Sequence, residues 1–200
     1  MNDKEQNQAS WNDYHKAVAG RQPRDLLVQT LARFGSYSGL AIDLGCGAGI
    51  ETAELLNHGW KVLAIDNQPE AIAQVRARVP AEQQGRLEAK DVSFENVKLP
   101  PSDLIWAGLS LPFCPPEHFD RLWDKVVASL RSGSRFAGDL FGERHAWITN
   151  KQMTFHTIEQ VRELFRPLEI EFFNEEEGEM STALQGIQHW HAFAVVARRL

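Results

Sequence analysis

The chain has 200 residues, 43% of them apolar and 24% charged, a balance that builds one globular domain with a sizeable core and excludes a disordered chain. Its 27 acidic residues outnumber 21 basic ones for a net charge of −6, with no Lys/Arg block, which excludes the footprint of a general nucleic-acid binder or of a protein held on an anionic membrane surface. The polar opening MNDKEQNQAS has no secretory core, and no run approaches a membrane span. Two cysteines, Cys46 and Cys114, in no zinc-like spacing, fit a reduced, cytoplasmic protein.

In chain order, the first ten residues read as frayed. A short amphipathic helix follows, with Trp11, Tyr14 and Val18 on one face, Ser10 and Asp13 in capping-box spacing, and Gly20 as its stop. Pro23 opens a second helix with the inner stripe Leu26, Leu27, Thr30, Leu31 and Phe34, ended by Gly35. Strands and helices then alternate. Leu40–Leu44 is a strand and Ile50–His58 a helix closed by Gly59. Lys61–Asp66 is a second strand, followed by a helix from Pro69 to Pro80 that buries Ile72, Val75 and Val79. Arg86–Asp91 is a weaker third strand and Asp103–Ala107 a fourth. Phe119, Leu122, Trp123, Val126, Val127 and Leu130 repeat with the 3.6-residue helical period, and Gly133 is the expected stop of that helix. Ser134–Phe141 is a fifth strand. Thr157 and Gln160 form a capping box for a helix carrying Ile158, Val161, Leu164 and Phe165. Two strands, about 168–174 and 189–198, close the chain as a hairpin joined by the acidic connection Glu175–Gly178.

This alternation predicts an α/β fold: a doubly wound, mostly parallel sheet covered on both faces, with one antiparallel strand near the C-terminus. No repeat or interdomain linker divides the chain, so residues 1–200 read as a single domain. Ligands of such sheets sit beyond the carboxyl ends of the strands.

The first strand runs into Asp43-Leu44-Gly45-Cys46-Gly47-Ala48-Gly49, and a helix follows at once. Glycines there let the backbone turn tightly and let a ligand approach it. A dinucleotide fingerprint would need glycine where Ile50 stands, so the pattern is G-x-G-x-G with an acid two residues ahead. The second strand ends in Asp66 and the third in Asp91-Val92.

Residues 41–49, AIDLGCGAG, resemble the first motif of class I S-adenosylmethionine-dependent methyltransferases, and Asp66 and Asp91 stand where that family places its next two cofactor contacts. The resemblance covers about residues 39–141. SLPFCPP at 110–116, with the N-terminal helices, is similar to small-molecule methyltransferases of the tellurite-resistance-like group. It implies a Rossmann-like fold with a seven-stranded sheet over residues 39–200 and a helical cover over 10–35. It also implies S-adenosylmethionine as cofactor and a small-molecule methyl acceptor with an O, N, S or metalloid nucleophile. Asp66, beside Asn67, would take the ribose hydroxyls, Asp91-Val92 the adenine, and the Ala107 carbonyl the ammonium. Asp43, Gly45, Cys46 and Gly47 would shape the loop, and Arg21 or Arg24 would meet the cofactor carboxylate. Trp11, Tyr14, Leu111, Phe113 and Cys114 are expected to face the acceptor.

Methyl transfer from an activated sulfonium needs no covalent enzyme intermediate, so no catalytic base is assigned. His189-x-His191 lies on one side of a strand without a third ligand nearby in sequence; these read as sheet-face histidines, and no metal site is assigned. His145 follows the fifth strand, where it could face substrate. Two rivals stand beside the methyltransferase reading: a non-catalytic S-adenosylmethionine-binding sensor or complex subunit, and a nucleotide-dependent oxidoreductase, which Ile50 disfavours. The sequence sets neither the acceptor nor the oligomeric state.

Overall fold

The computed structural model describes residues 11, 13, 14 and 16–200. The expected fraying and the Ser10 cap lie outside them. Residues 11, 13, 14 and 16–18 are helical. After α1 (Asp25–Ala32) the elements are β1 (Leu40–Leu44), α2 (Ile50–Asn57), β2 (Lys61–Asp66), α3 (Pro69–Arg78), β3 (Leu87–Asp91) and β4 (Ser102–Ala107). Then come α4 (Pro116–Ser129), β5 (Leu130–Gly142), β6 (Phe155–His156), α5 (Ile158–Leu164), β7 (Glu169–Thr182) and β8 (Gly186–Arg198). Two 3₁₀ turns, Ala81–Arg86 and Leu111–Phe113, precede β3 and α4. No helix among the described residues is long and apolar enough to cross a membrane.

The strands form one sheet in the order β3-β2-β1-β4-β5-β8-β7, with β6 pairing β5 outside that path. β8 runs antiparallel to both its neighbours, and the other pairings are parallel. The sheet has eight strands where seven were expected. The extra one, β6, is two residues long and offers no period to read.

Successive residues of the central strands serve opposite faces. Ala41, Val62, Ala64, Leu104 and Trp106 pack with Leu27 and Leu31 of α1, Leu55 and Leu56 of α2, and Val75 of α3. Ile42, Leu63, Ile65, Ile105 and Phe136 pack with Phe119, Leu122, Trp123 and Val126 of α4 and Val161 of α5. Burial on both faces is why these strands read as unbroken apolar runs. The expected capping box is present: Thr157 Oγ1 accepts from the Gln160 N–H, and Gln160 Oε1 accepts from the Thr157 N–H.

Two expectations at element ends are corrected. α4 stops at Ser129, and Leu130 already begins β5. Gly133 is therefore not a helix stop but a left-handed residue (φ 83°) inside the strand, its N–H donating to the Arg199 carbonyl. Glu175–Gly178 is not a connection. It lies in mid-strand, paired with residues 190–193 of β8, and the hairpin turns only at residues 183–185. The exposed glutamates gave the ribbon the composition of a loop, although a two-stranded ribbon in solvent needs no apolar face there.

The order reverses between β1 and β4, which places a crevice beyond the ends of these strands. The crevice depends on the β1–α2 turn, where Gly49 has φ 76° and a Cβ would lie 2.8 Å from Val75 Cγ2 and 3.1 Å from Val75 Cα. Gly49→Ala is expected to lower stability by about 2 kcal/mol, the scale of a strained left-handed residue. Urea unfolding measures this, and a loss under about 0.5 kcal/mol would show that the turn relaxes freely.

Candidate active site

The glycine loop is held by the neighbouring strand. Gly45, Gly47 and Gly49 all have positive φ (80°, 49° and 76°). The Gly45 and Cys46 N–H groups donate to the Ile65 carbonyl at 2.8 and 2.9 Å, and the Gly47 N–H donates to Asp66 Oδ2 at 2.9 Å. Asp66 Oδ1 accepts from the N–H of Gln68, the N-cap of α3, at 3.0 Å. The other side of the loop meets Ser110, whose hydroxyl donates to the Leu44 carbonyl. A Cβ on Gly45 would overlap the Ser110 side chain, so the loop and the turn after β4 approach as closely as glycine allows.

Buried acids surround this turn. Asp43 is 1% exposed, and its Oδ2 accepts from Thr52 Oγ1 at 2.6 Å. Burial pushes its carboxyl up to about 7; the Thr52 hydrogen bond opposes the rise, and the charges of Glu51 and Asp66 add to it. Glu51, in the first turn of α2, accepts from both terminal nitrogens of Arg21 at 2.6 and 2.8 Å and from the Arg24 N–H at 3.3 Å. Arg78 donates to the carbonyls of Ala48 at 2.8 Å and Ala19 at 3.1 Å. These bonds strap residues 19–24 across the glycine loop. Arg21 Nε stays buried with no hydrogen-bond partner among the described residues.

These elements border a cavity of about 980 Å³. Of the expected cofactor residues, Arg21, Asp43, Gly45, Cys46, Gly47, Asp66, Asn67 and Val92 line it, as does Arg24. Asp91 does not. It ends β3 at the sheet edge with its side chain exposed, and Phe94 and Glu95 line the wall beyond Val92. Ala107 is buried, and the next residues, Gly108 and Leu109, reach the cavity. Leu109 is left-handed (φ 51°), and its N–H donates to Asp139 Oδ2 at 3.0 Å. Burial raises that carboxyl to about 6, opposed by the charge of Arg24.

Of the expected acceptor residues, Trp11, Tyr14 and Phe113 line the cavity, whereas Leu111 and Cys114 are fully buried in the core beside Ile105 and Phe119. The 3₁₀ turn separates successive side chains by a third of a circle, so Phe113 faces the cavity while Leu111 turns away from it. Burial pushes the Cys114 thiol up to about 12. His145 is also behind the wall. It is 1% exposed, stacks on Phe141 with ring centroids 4.1 Å apart, and accepts the Trp147 N–H on Nδ1 at 3.1 Å.

Residues after the fifth strand were expected to contribute to the acceptor wall, and the loop there supplies Trp147 and Met153 to the cavity lining; residues 180–185 at the hairpin tip and Trp190 on β8 escaped the sequence reading. The signal available was a concentration of tryptophans outside any core stripe. His189 and His191 face glutamates across the hairpin. His189 contacts Glu177 and Glu179, and His191 Nε2 contacts Glu175 Oε1 at 3.0 Å. Glu175, Glu177 and His191 lie close enough to share a cation, but Arg144 already pairs with both carboxylates at 3.0 and 2.7 Å.

The strand order, the clamped glycine loop and the acid ending β2 agree with the fold of class I methyltransferases, and residues 41–133 match the family model described as a methyltransferase domain. Residues 41–133 thus carry an S-adenosylmethionine-dependent methyltransferase domain. Its structure is similar to that of TehB from Haemophilus influenzae, with a TM-score of 0.76 at 16% identity over 94% of this chain. This chain spans 66% of the TehB chain. It is also similar to an S-adenosylmethionine-dependent methyltransferase from Methanosarcina mazei, with a TM-score of 0.70 at 19% identity, covering 90% of this chain and 99% of that one. The N-methyltransferase NodS of Bradyrhizobium japonicum, solved with S-adenosylhomocysteine, has a TM-score of 0.67 at 17% identity, covering 94% and 98%. No curated protein matches the sequence.

Asp43 gives a pH signature. Its folded-state pKa, about 7, lies above the ordinary aspartate value of 3.8, so the folded protein holds a proton that the unfolded chain releases as pH rises through that window. The contribution of Asp43 to stability therefore falls between about pH 4 and pH 7 and is flat above. Relative to Asp43→Asn, which keeps an acceptor for Thr52, the wild type is expected to lose stability across that window. Urea unfolding at about pH 4.5 and pH 7.5 checks this, and an equal difference at both would show an ordinary carboxylate.

Proposed function

We propose that the protein moves the methyl group of S-adenosylmethionine to a small-molecule acceptor held in the same cavity. The observation that carries this reading is one cavity with a polar end built by the glycine loop and an opposite wall of aromatic rings. The polar end fits the cofactor. Asp66 would accept from the ribose hydroxyls, with Asn67 and Val92 flanking the nucleoside. The orphaned Nε of Arg21, the donor that Glu51 leaves unused, would meet the carboxylate. The carbonyl at the end of β4, on Ala107, would take the ammonium.

S-adenosylmethionine supplies a methyl group already activated on its sulfonium. The chain's own task is to align the acceptor, exclude water and hold the loop rigid. The described residues between Trp11 and Arg24 serve as a cover within a single-domain protein. Trp11, Tyr14 and Val18 line the cavity, Trp11 meets Phe113 at 4.8 Å, and the Arg21–Glu51 pair fixes the far end of the segment. The acidic surface balance makes nucleic acid an unsuitable acceptor. Both thiols are buried and free, which suits the reducing cytoplasm.

S-adenosylhomocysteine is expected to bind and raise the melting temperature. Asp66→Ala should weaken that binding by about 1.5–3 kcal/mol, the scale of hydrogen bonds to a charged group. Calorimetry decides: an unchanged dissociation constant in a folded variant removes the ribose assignment, and binding of NAD instead overturns the whole reading.

Amide exchange tests the cover. Residues 16–24 should gain protection when S-adenosylhomocysteine is added, beyond any change in α1. Equal protection with and without ligand would make the segment permanent packing.

A further inference from the structure

Five aromatic side chains from five separate places in the chain meet at the acceptor end of the cavity. Trp11 comes from the N-terminal segment, Phe113 from the turn after β4, and Phe141 from the end of β5. Trp147 comes from the following loop and Trp190 from β8. Phe113 lies 4.8 Å from Trp11, 6.3 Å from Phe141 and 6.4 Å from Trp147 between ring centroids. Phe141 lies 5.1 Å from Trp190, edge to face. The rings thus form one connected lining.

The lining is fixed before any acceptor arrives. Trp147 is held at both ends, its N–H by His145 Nδ1 and its indole Nε1 by Gln185 Oε1 at 2.9 Å, which also ties the loop to the hairpin tip. The Ala146 N–H donates to the His189 carbonyl at 2.9 Å and anchors the loop beside Trp190. Burial holds His145 down to about 4, so it stays neutral and keeps an acceptor for Trp147 at ordinary pH. Rings set in advance bind a flat ligand with little ordering cost.

Charge is divided within the cavity. Its charged lining residues are Arg21 and Arg24 of the N-terminal strap, Asp43 near the end of β1, Glu51 in the first turn of α2, Asp66 at the end of β2 and Glu95 in the turn after β3. The stretches that supply most of the aromatic wall, residues 106–115, 141–153 and 180–190, contribute no charged side chain to the lining. Their polar groups there are neutral amides and hydroxyls, such as Asn150, Gln152 and Gln185. An oxyanion moving to this end would lose hydration and meet no cation on those stretches; the fork of Arg21 is already taken by Glu51, and the charge of Arg24, the other cation of the lining, is set against the Asp139 and Glu176 carboxyls. A planar ring would instead find edges and faces at the spacings aromatic pairs prefer.

We propose that the methyl acceptor is a planar aromatic small molecule, uncharged apart from its nucleophilic atom, seated among Trp11, Phe113, Trp147 and Trp190, and not a metalloid oxyanion. This rests on the methyltransferase reading above and narrows its substrate. In the transfer, a lone pair on the acceptor's nucleophile forms the bond to the methyl carbon. The electron pair of the broken carbon–sulfur bond stays on the donor's sulfur, leaving S-adenosylhomocysteine and a methylated arene. An aryl thiol that is already ionised at neutral pH gives its proton to solvent beforehand, and the step needs no further reactant.

The test compares 4-nitrothiophenol, 2-mercaptoethanol and selenite as acceptors, and separately binds 4-nitrothioanisole to the S-adenosylhomocysteine-loaded protein by tryptophan fluorescence. We expect kcat/KM for the aryl thiol to exceed that for the aliphatic one by about tenfold or more. Trp147→Ala and Trp190→Ala should each remove most of that preference and weaken 4-nitrothioanisole binding, with S-adenosylhomocysteine affinity retained as the control for folding. Trp147→Phe should restore it. Turnover of selenite or 2-mercaptoethanol at least equal to the aryl thiol overturns the proposal. So does an aryl preference indifferent to Trp147→Ala, or failure of 4-nitrothioanisole to bind. Failure of S-adenosylhomocysteine itself to bind would instead defeat the underlying methyltransferase reading.

Discussion

The site depends on the end of β2 gripping the loop that leaves β1. Two loop N–H groups share the Ile65 carbonyl and a third is taken by Asp66, so the three left-handed glycines are fixed by a strand to which they do not belong. An amide that is buried without a partner costs about as much as a lost hydrogen bond, and these bonds remove that cost while holding the loop open toward the crevice. The Asp66 carboxylate that lines the cavity thereby also sets the shape of the loop beside it. Gly45 completes the arrangement by letting the Ser110 turn close against the loop from β4.

The interior around this loop is costly for charge. Asp43 and Glu51 are buried and Asp139 is half-buried, the charge of Glu51 bears on the other two, and among the described residues only Glu51 of the three has a full ionic partner. The raised carboxyls of Asp43 and Asp139 are the consequence, because burial and like charge both oppose ionisation. The Arg21–Glu51 pair has excellent fork geometry and ties the N-terminal segment to the first turn of α2, the helix that follows the glycine loop. Asp139 holds a strained Leu109 at the mouth of the cavity, a position where backbone strain is tolerated because the surrounding bonds determine it.

The glycine-loop end of this cavity is legible in the sequence, and the aromatic end is largely not, for a physical reason. The glycine spacing at 45–49 and the acid ending β2 are local, because a tight turn and a strand end each impose residue types on a few adjacent positions. The alternation of apolar strands with periodic helices is local too, and it gave the doubly wound sheet. The aromatic wall has no such local rule. Phe113, Trp147 and Trp190 meet only because β4, β5 and β8 are neighbours, and no spacing along the chain encodes that. Leu111 and Cys114 show the limit within three residues: composition marked the segment, and the pitch of a 3₁₀ turn decided which side chain faces the cavity. The charge-rich ribbon at 175–182 looked like a loop because its pairing is satisfied by backbone and by Glu–His and Glu–Arg contacts, not by an apolar stripe.

The long β7–β8 hairpin has a consequence for how this enzyme can diversify. Its outer half pairs with no strand but its own partner, and its tip at residues 180–185 borders the cavity without touching the fastening of the glycine loop. Insertions, deletions or side-chain exchanges at the tip would therefore alter the contour presented to incoming molecules while the glycine-loop end keeps its geometry. A lineage carrying this ribbon can redraw the outline of its cavity at little risk to the glycine loop, with the glutamate–arginine ladder around Arg144 keeping the projecting arm in line as its end is rewritten.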